Sequence, residues 1–192
     1  MEHTKLEKQL VQQQYQLAQA VISLAEGKAL KPILQHVGEL AMELTGAHYA
    51  MLAYIIDGRK IYIPLGLTEQ QLAQLEKEPQ GIGLLGLMWN NHEVVRINNI
   101  GQHPKTAGFP AHHPVMTTFL GAPIMFDDEI QGVIYLTDKE GGRAFDPLDE
   151  TIVRTLASAC AIAISNANHI EALEARNAEL ERLLAEHRTP TG

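Results

Sequence analysis

Cysteine is nearly absent from this sequence: Cys160 is the only one in 192 residues. A lone thiol forms no intramolecular bridge, so a disulfide scaffold is excluded and a reducing, cytoplasmic compartment is expected. Long apolar runs are missing too. None approaches the roughly 18 to 20 residues that span a bilayer, and the first 25 residues are Gln-rich and charged, without the basic-then-apolar order of a secretory signal. Basic residues are outnumbered, 15 Lys and Arg against 23 Asp and Glu, and the net charge of −8 argues against binding a phosphate backbone. Aromatic residues make up only 5%. What remains is ordinary: 45% hydrophobic and 20% charged residues are globular averages for one domain able to bury its own core. Nine His are the one excess.

Leu6, Leu10, Gln13, Leu17, Ala20 and Leu24 follow alternating steps of four and three, a heptad-like helical stripe over residues 4–25 that Gly27 interrupts. A second helix is expected over Lys31 to Leu44, with Ile33, Leu34, Val37, Leu40, Ala41 and Leu44 buried. The period then changes to two. Residues 48–56 and 60–65 flank Asp57-Gly58, a hairpin signal. Thr68 caps an expected surface helix running to Glu78, with Leu72 and Leu75 inward. Val94 to Ile97 reads as a short strand, Asn98 to Pro114 as a long irregular loop of the kind that carries function, and Thr117 to Phe126 and Ile130 to Thr137 as strands around an acidic turn. A last helix spans Pro147 to Glu186. Ile152, Leu156, Ala159, Ala163, Asn166, Ile170, Leu173, Asn177, Leu180 and Leu184 place a coiled-coil seam on it, so a homodimer through the terminal helices is expected. The order of elements predicts an α+β fold, an antiparallel sheet with helices on one side. It divides into a terminal helix (1–27), a central domain (28–165) and a C-terminal coiled-coil helix and tail (166–192).

Tyr135-Leu136-Thr137-Asp138-Lys139, then Phe145, then Asp149-Glu150 resemble the Asn-Lys, Phe, Asp-Glu signature of the GAF domain, with Asp138 in place of Asn. In that family the Lys and Asp tie the last strand to the C-terminal helix, which implies a structural pairing of Lys139 with Asp149. A closer likeness runs from Gly81 to Ala167. Gly83-Leu84-Leu85-Gly86-Leu87, His103-Pro104, Gly108-Phe109-Pro110, His112-His113-Pro114, Met116 and Phe119-Leu120-Gly121-Ala122-Pro123 resemble the haem-binding first GAF domain of the mycobacterial dormancy sensor histidine kinases. The resemblance implies a haem b cofactor with His113 as proximal iron ligand, His112 the runner-up, and Tyr135 in the distal pocket. Val115 departs from the second Pro usual in that motif. Phe109, Pro110, Met116, Gly83, Leu84 and Leu87 would supply apolar walls, and the glycines would let backbone approach a flat macrocycle.

Two functions compete on this reading. One is a haem-based sensor of a diatomic gas (oxygen, nitric oxide or carbon monoxide) or of redox state, signalling through dimeric helices to a histidine kinase or other output module. The other is a non-haem GAF module that binds a small anion or metabolite, or serves in dimerisation and partner interaction. An enzyme is not expected. Some GAF domains reduce free methionine sulfoxide, but that chemistry needs an attacking and normally a resolving thiol, and Cys160 stands alone in an Ala-rich helix. Bilin attachment meets the same objection, no Gly-x-Ser-x-Gly elbow is present, and His92, His103, His112 and His113 match no tight zinc spacing.

Overall fold

Ile33, Leu34, Val37, Leu40 and Ala41 recur at three- and four-residue steps and form the buried side of helix α1, Leu30–Thr45. The structure, a computed structural model, describes residues 30–56, 58–74, 83–106 and 113–188. The expected helix over residues 4–25 lies outside them. Extended chain follows in β1, Ala47–Ile56, and β2, Arg59–Leu65. The two pair antiparallel from Ala50 opposite Leu65 to Ile56 opposite Arg59, as the hairpin signal predicts. At Thr68 a capping box forms: the Gln71 amide donates to Thr68 Oγ1 (3.2 Å) and the Thr68 amide to Gln71 Oε1 (2.8 Å). Helix α2, Glu69–Gln74, follows. Leu72, expected to face inward, is instead 38% exposed and lies outside both hydrophobic clusters; Leu75 falls outside the described residues.

A five-residue helix α3, Leu84–Met88, precedes β3, Val95–Ile97. The long strands β4, Phe119–Phe126, and β5, Glu129–Lys139, follow. Their two-residue turn puts Asp127 and Asp128 at φ of 49° and 62°. That is the left-handed pair a tight hairpin demands, and Asp tolerates it better than most residues. The sheet order is β2-β1-β5-β4-β3, so β5 is central, with Tyr135 between Met51 on β1 and Gly121 on β4. Helix α4 runs from Pro147 to Arg188, 42 residues or about 63 Å at 1.5 Å per residue.

Both faces of the sheet are covered. On one, α1 and the first half of α4 pack against Leu52, Ile63, Leu120, Ile124, Ile134 and Leu136 to form the main core. This is the α+β layout expected from the sequence. On the opposite face a smaller cluster gathers α3 against Ala53, Phe119, Val133 and Tyr135, a second layer that the one-sided expectation did not include. The anticipated seam on α4 also divides. Ile152, Leu156, Ala159 and Ala163 are buried in the main core, because the domain's own sheet covers them. Only the stretch beyond Ala163 turns its seam positions outward.

Candidate ligand-binding face

Strand β5 sends Val133, Tyr135 and Thr137 to the face that α3 covers, since side chains two apart share a side of a strand. Tyr135 is buried beside Phe119, with ring centroids 5.8 Å apart, and its hydroxyl donates to the Leu85 carbonyl at 3.3 Å. Desolvation, with the nearby Tyr62 adding to it, pushes the Tyr135 phenol well above its ordinary range, so it stays a neutral donor at every physiological pH. Two residues on, Thr137 donates to Met116 Sδ at 3.1 Å. The leg carrying Met116 is held by Asp138, whose carboxylate accepts from the Thr117 amide (2.6 Å), the Thr117 hydroxyl (2.8 Å) and the Thr118 amide (3.4 Å). Asp138 sits at φ 55°, a conformation open to Asp as to the Asn of the motif.

The cover over this face is built from the Gly83 to Trp89 stretch. Gly83 adopts φ 68°, ψ −133° and accepts from the Leu87 amide at 3.0 Å, so its glycine character serves the start of α3. Leu84, Leu85 and Met88 pack into the Tyr135 cluster; Leu87 is half-buried and outside it. Trp89 closes the end, with Lys60 Nζ 4.2 Å above its ring in a cation–π contact. Its indole Nε1 is buried and has no hydrogen-bond partner, the one such side-chain atom among the described residues. Neither Trp89 nor Lys60 was singled out as functional from the sequence. They lie 29 positions apart, and strand register together with the place where α3 ends brings them together. That this is the chain's sole Trp was the one signal available.

His113 lies half-buried ahead of Met116. Its Nδ1–H donates to the Pro114 carbonyl at 2.7 Å, which fixes the tautomer with the lone pair on Nε2. In the haem reading drawn from the sequence, that bond would anchor the second ring nitrogen of the iron ligand. Tyr135, by contrast, is committed to the Leu85 carbonyl and would have to leave it to meet a ligand on iron. The structure therefore brings Tyr135, Met116 and Leu84 together. Phe109, Pro110 and His112 lie outside the described residues. Among the described residues no three His, Cys, Asp or Glu side chains converge to hold a metal ion.

Behind the face, Lys139 donates to Asp149 and to Asp146 (3.1 Å), pinning the end of β5 to the first turn of α4. Cys160 is wholly buried, and desolvation pushes its thiol up to about 12, a protonated sulfur of low nucleophilicity. No described helix is long and apolar enough to cross a membrane.

Solved structures share this architecture. A GAF domain of a phosphoenolpyruvate-protein phosphotransferase from Coxiella burnetii superposes with a TM-score of 0.70 at 24% identity, covering 83% of this chain and 96% of that one. A methyl-accepting chemotaxis protein fragment gives 0.62 at 15% identity, covering 80% and 99%. Free methionine-R-sulfoxide reductase from Neisseria meningitidis, in complex with its substrate, gives 0.61 at 16%, covering 81% and 89%. At these identities the likeness is one of fold. The GAF domain family model matches residues 28–165, well over half of the sequence, and the chain belongs to the GAF domain family.

Proposed function

We propose that this GAF domain is a sensory module of a signalling system. A small molecule binds the face carrying Trp89, Tyr135 and Met116, and the long helix α4 passes its occupancy to a second copy or an output partner. The observation that carries this reading is the buried, unpartnered Trp89 Nε1. An orphaned buried donor costs about 1–3 kcal/mol, and a bound acceptor would remove that cost. The layout also supports it, since β5 presents Tyr135 on one side and Leu136, packed in the α1–α4 core, on the other. Displacing the strand disturbs both. The reading is of a binding module and not an enzyme, in keeping with the burial of Cys160.

Emission from Trp89 tests it. The spectrum is recorded for the purified chain and again after unfolding, desalting and refolding. A shift on removal of bound small molecules is expected, and an identical spectrum overturns the proposal.

Haem is the specific ligand favoured by one further feature, the anchored His113 tautomer. His113 would hold the iron, with Met116 and Leu84 as apolar neighbours, and bound haem would supply a centre for diatomic gases or for redox change. A Soret band that survives desalting and is lost in His113→Ala is expected. Protein absorption alone after addition of hemin and desalting overturns the haem reading and leaves the sensory one to the Trp89 test.

A further inference from the structure

Between the outer strand β3 and the root of α4 lies a groove of about 690 Å³, within the roughly 300–1,000 Å³ typical of small-molecule sites. Its lining does not include Trp89 or Tyr135, although Val95 and Ile97 join it to the cluster in which they pack. Its walls carry Arg96, Asn98 and His103 on one side and Phe145 and Asp146 on the other. Arg96 reaches across, its Nη1 donating to the Phe145 carbonyl at 3.4 Å. That bond positions the planar guanidinium while using one of its five N–H groups. The Lys105 amide donates to His103 Nδ1 at 3.3 Å, so the neutral ring carries its proton on Nε2 and is a second donor.

The one carboxylate on the wall is already engaged. Asp146 Oδ1 accepts from the Leu148 (2.8 Å) and Asp149 (3.1 Å) amides, and Oδ2 accepts from Lys139 at 3.1 Å. Asp146 keeps its charge, offset by Lys139, and the lining adds Arg96 as a cation with Asn98 and His103 as further polar groups. Ile97 and Phe145, both buried, give it apolar backing.

We propose that this groove is a second binding site, for a small organic oxyanion with an apolar body. Arg96 takes the oxyanion through its planar fork, His103 donates to it, and the body rests toward Ile97 and Phe145. The site touches Asp146 and Pro147, where α4 begins, so occupancy bears directly on the first turn of that helix. His103, which the sequence marks without assigning it work, acquires a role as one wall.

The test is amide chemical-shift mapping of the full chain titrated with benzoate and, separately, with phenyl phosphate. Saturating shifts concentrated at Val95 to His103 and Ala144 to Asp146 are expected. A response to benzoate alone assigns a carboxylate, and one to phenyl phosphate alone a phosphate ester. Arg96→Gln weakens binding by about tenfold or more, the loss expected for a charge-assisted bond, and Arg96→Lys, which keeps charge but not the fork, falls between. The amides of Leu84 to Trp89 are followed in the same titration and stay still, so failure here and failure of the sensory face are read separately. No saturating shift with either probe, shifts centred elsewhere, or equal affinity in Arg96→Gln overturns the proposal.

Discussion

Lys139 and Asp149 meet inside the fold with side chains 9% and 5% exposed, a buried charge pair whose members each need the other. Lys139→Met leaves Asp149 without its cation, and the cost expected is about 3–5 kcal/mol, read as a lower urea midpoint; a change below 1 kcal/mol would contradict the buried pairing. Asp146 titrates in the opposite setting, more than half exposed. The Asp149 amide above all, and Lys139 with it, hold its carboxyl below the usual range. A folded value below the unfolded one stabilises above the ordinary carboxylate pKa, and that contribution disappears as pH falls through the lowered value. Asp146→Asn should therefore shallow the decline of stability below about pH 4, by a small amount because solvent screens an exposed group. Acid-unfolding profiles that superpose for the two proteins would exclude the effect. The signature run made Lys139 and Asp149 readable in advance. The Lys60–Trp89 contact was not, because it depends on strand register and on where α3 ends.

Helices and hairpins were the most legible parts of the fold. The apolar spacing of α1, the strands flanking Asp57-Gly58 and the 42-residue reach of α4 follow local patterns, and each element formed close to where its pattern lies. The short pieces were not legible. Helix α3 has five residues and no side-chain cap, too little sequence for a period to show, so only the family resemblance, and not the pattern, placed this stretch beside Tyr135. The same limit hid the work of Gly83, which lies in the positive φ that opens α3. Gly66, just after β2, shows how strictly such a position binds the residue. It holds φ 82°, and a Cβ there would run into the His48 carbonyl. Gly66→Ala should destabilise by about 1–3 kcal/mol, measured by thermal or chemical denaturation; an unchanged midpoint would mean the β1–β2 end relaxes freely.

Helix α4 belongs to the domain in its first half and leaves it in its second. Leu156 is 1% exposed, while Ile170, Leu173, Leu180 and Leu184 are each 50–63% exposed. The spacing of these residues looked continuous in the sequence because a helix carries one period whether it packs on its own sheet or on another chain. Burial is what separates the two uses. If the exposed half of α4 joins two copies, as the sequence seam leads one to expect, Leu173→Lys combined with Leu180→Lys should shift a dimer toward monomer in sedimentation while far-ultraviolet circular dichroism stays unchanged, whereas Leu156→Lys should unfold the chain; a double variant that sediments as the parent does would remove the helix as the joining surface. In the proposed function, ligand face, core and exposed helix form one path, from Trp89 and Tyr135 through β5 to α4. Native mass spectrometry of the freshly purified chain tests both ends of that path at once. Two copies of the 21.2 kDa chain plus the mass of a bound small molecule, with the added mass lost in Trp89→Phe, is the result expected; bare chain masses in both proteins would contradict it.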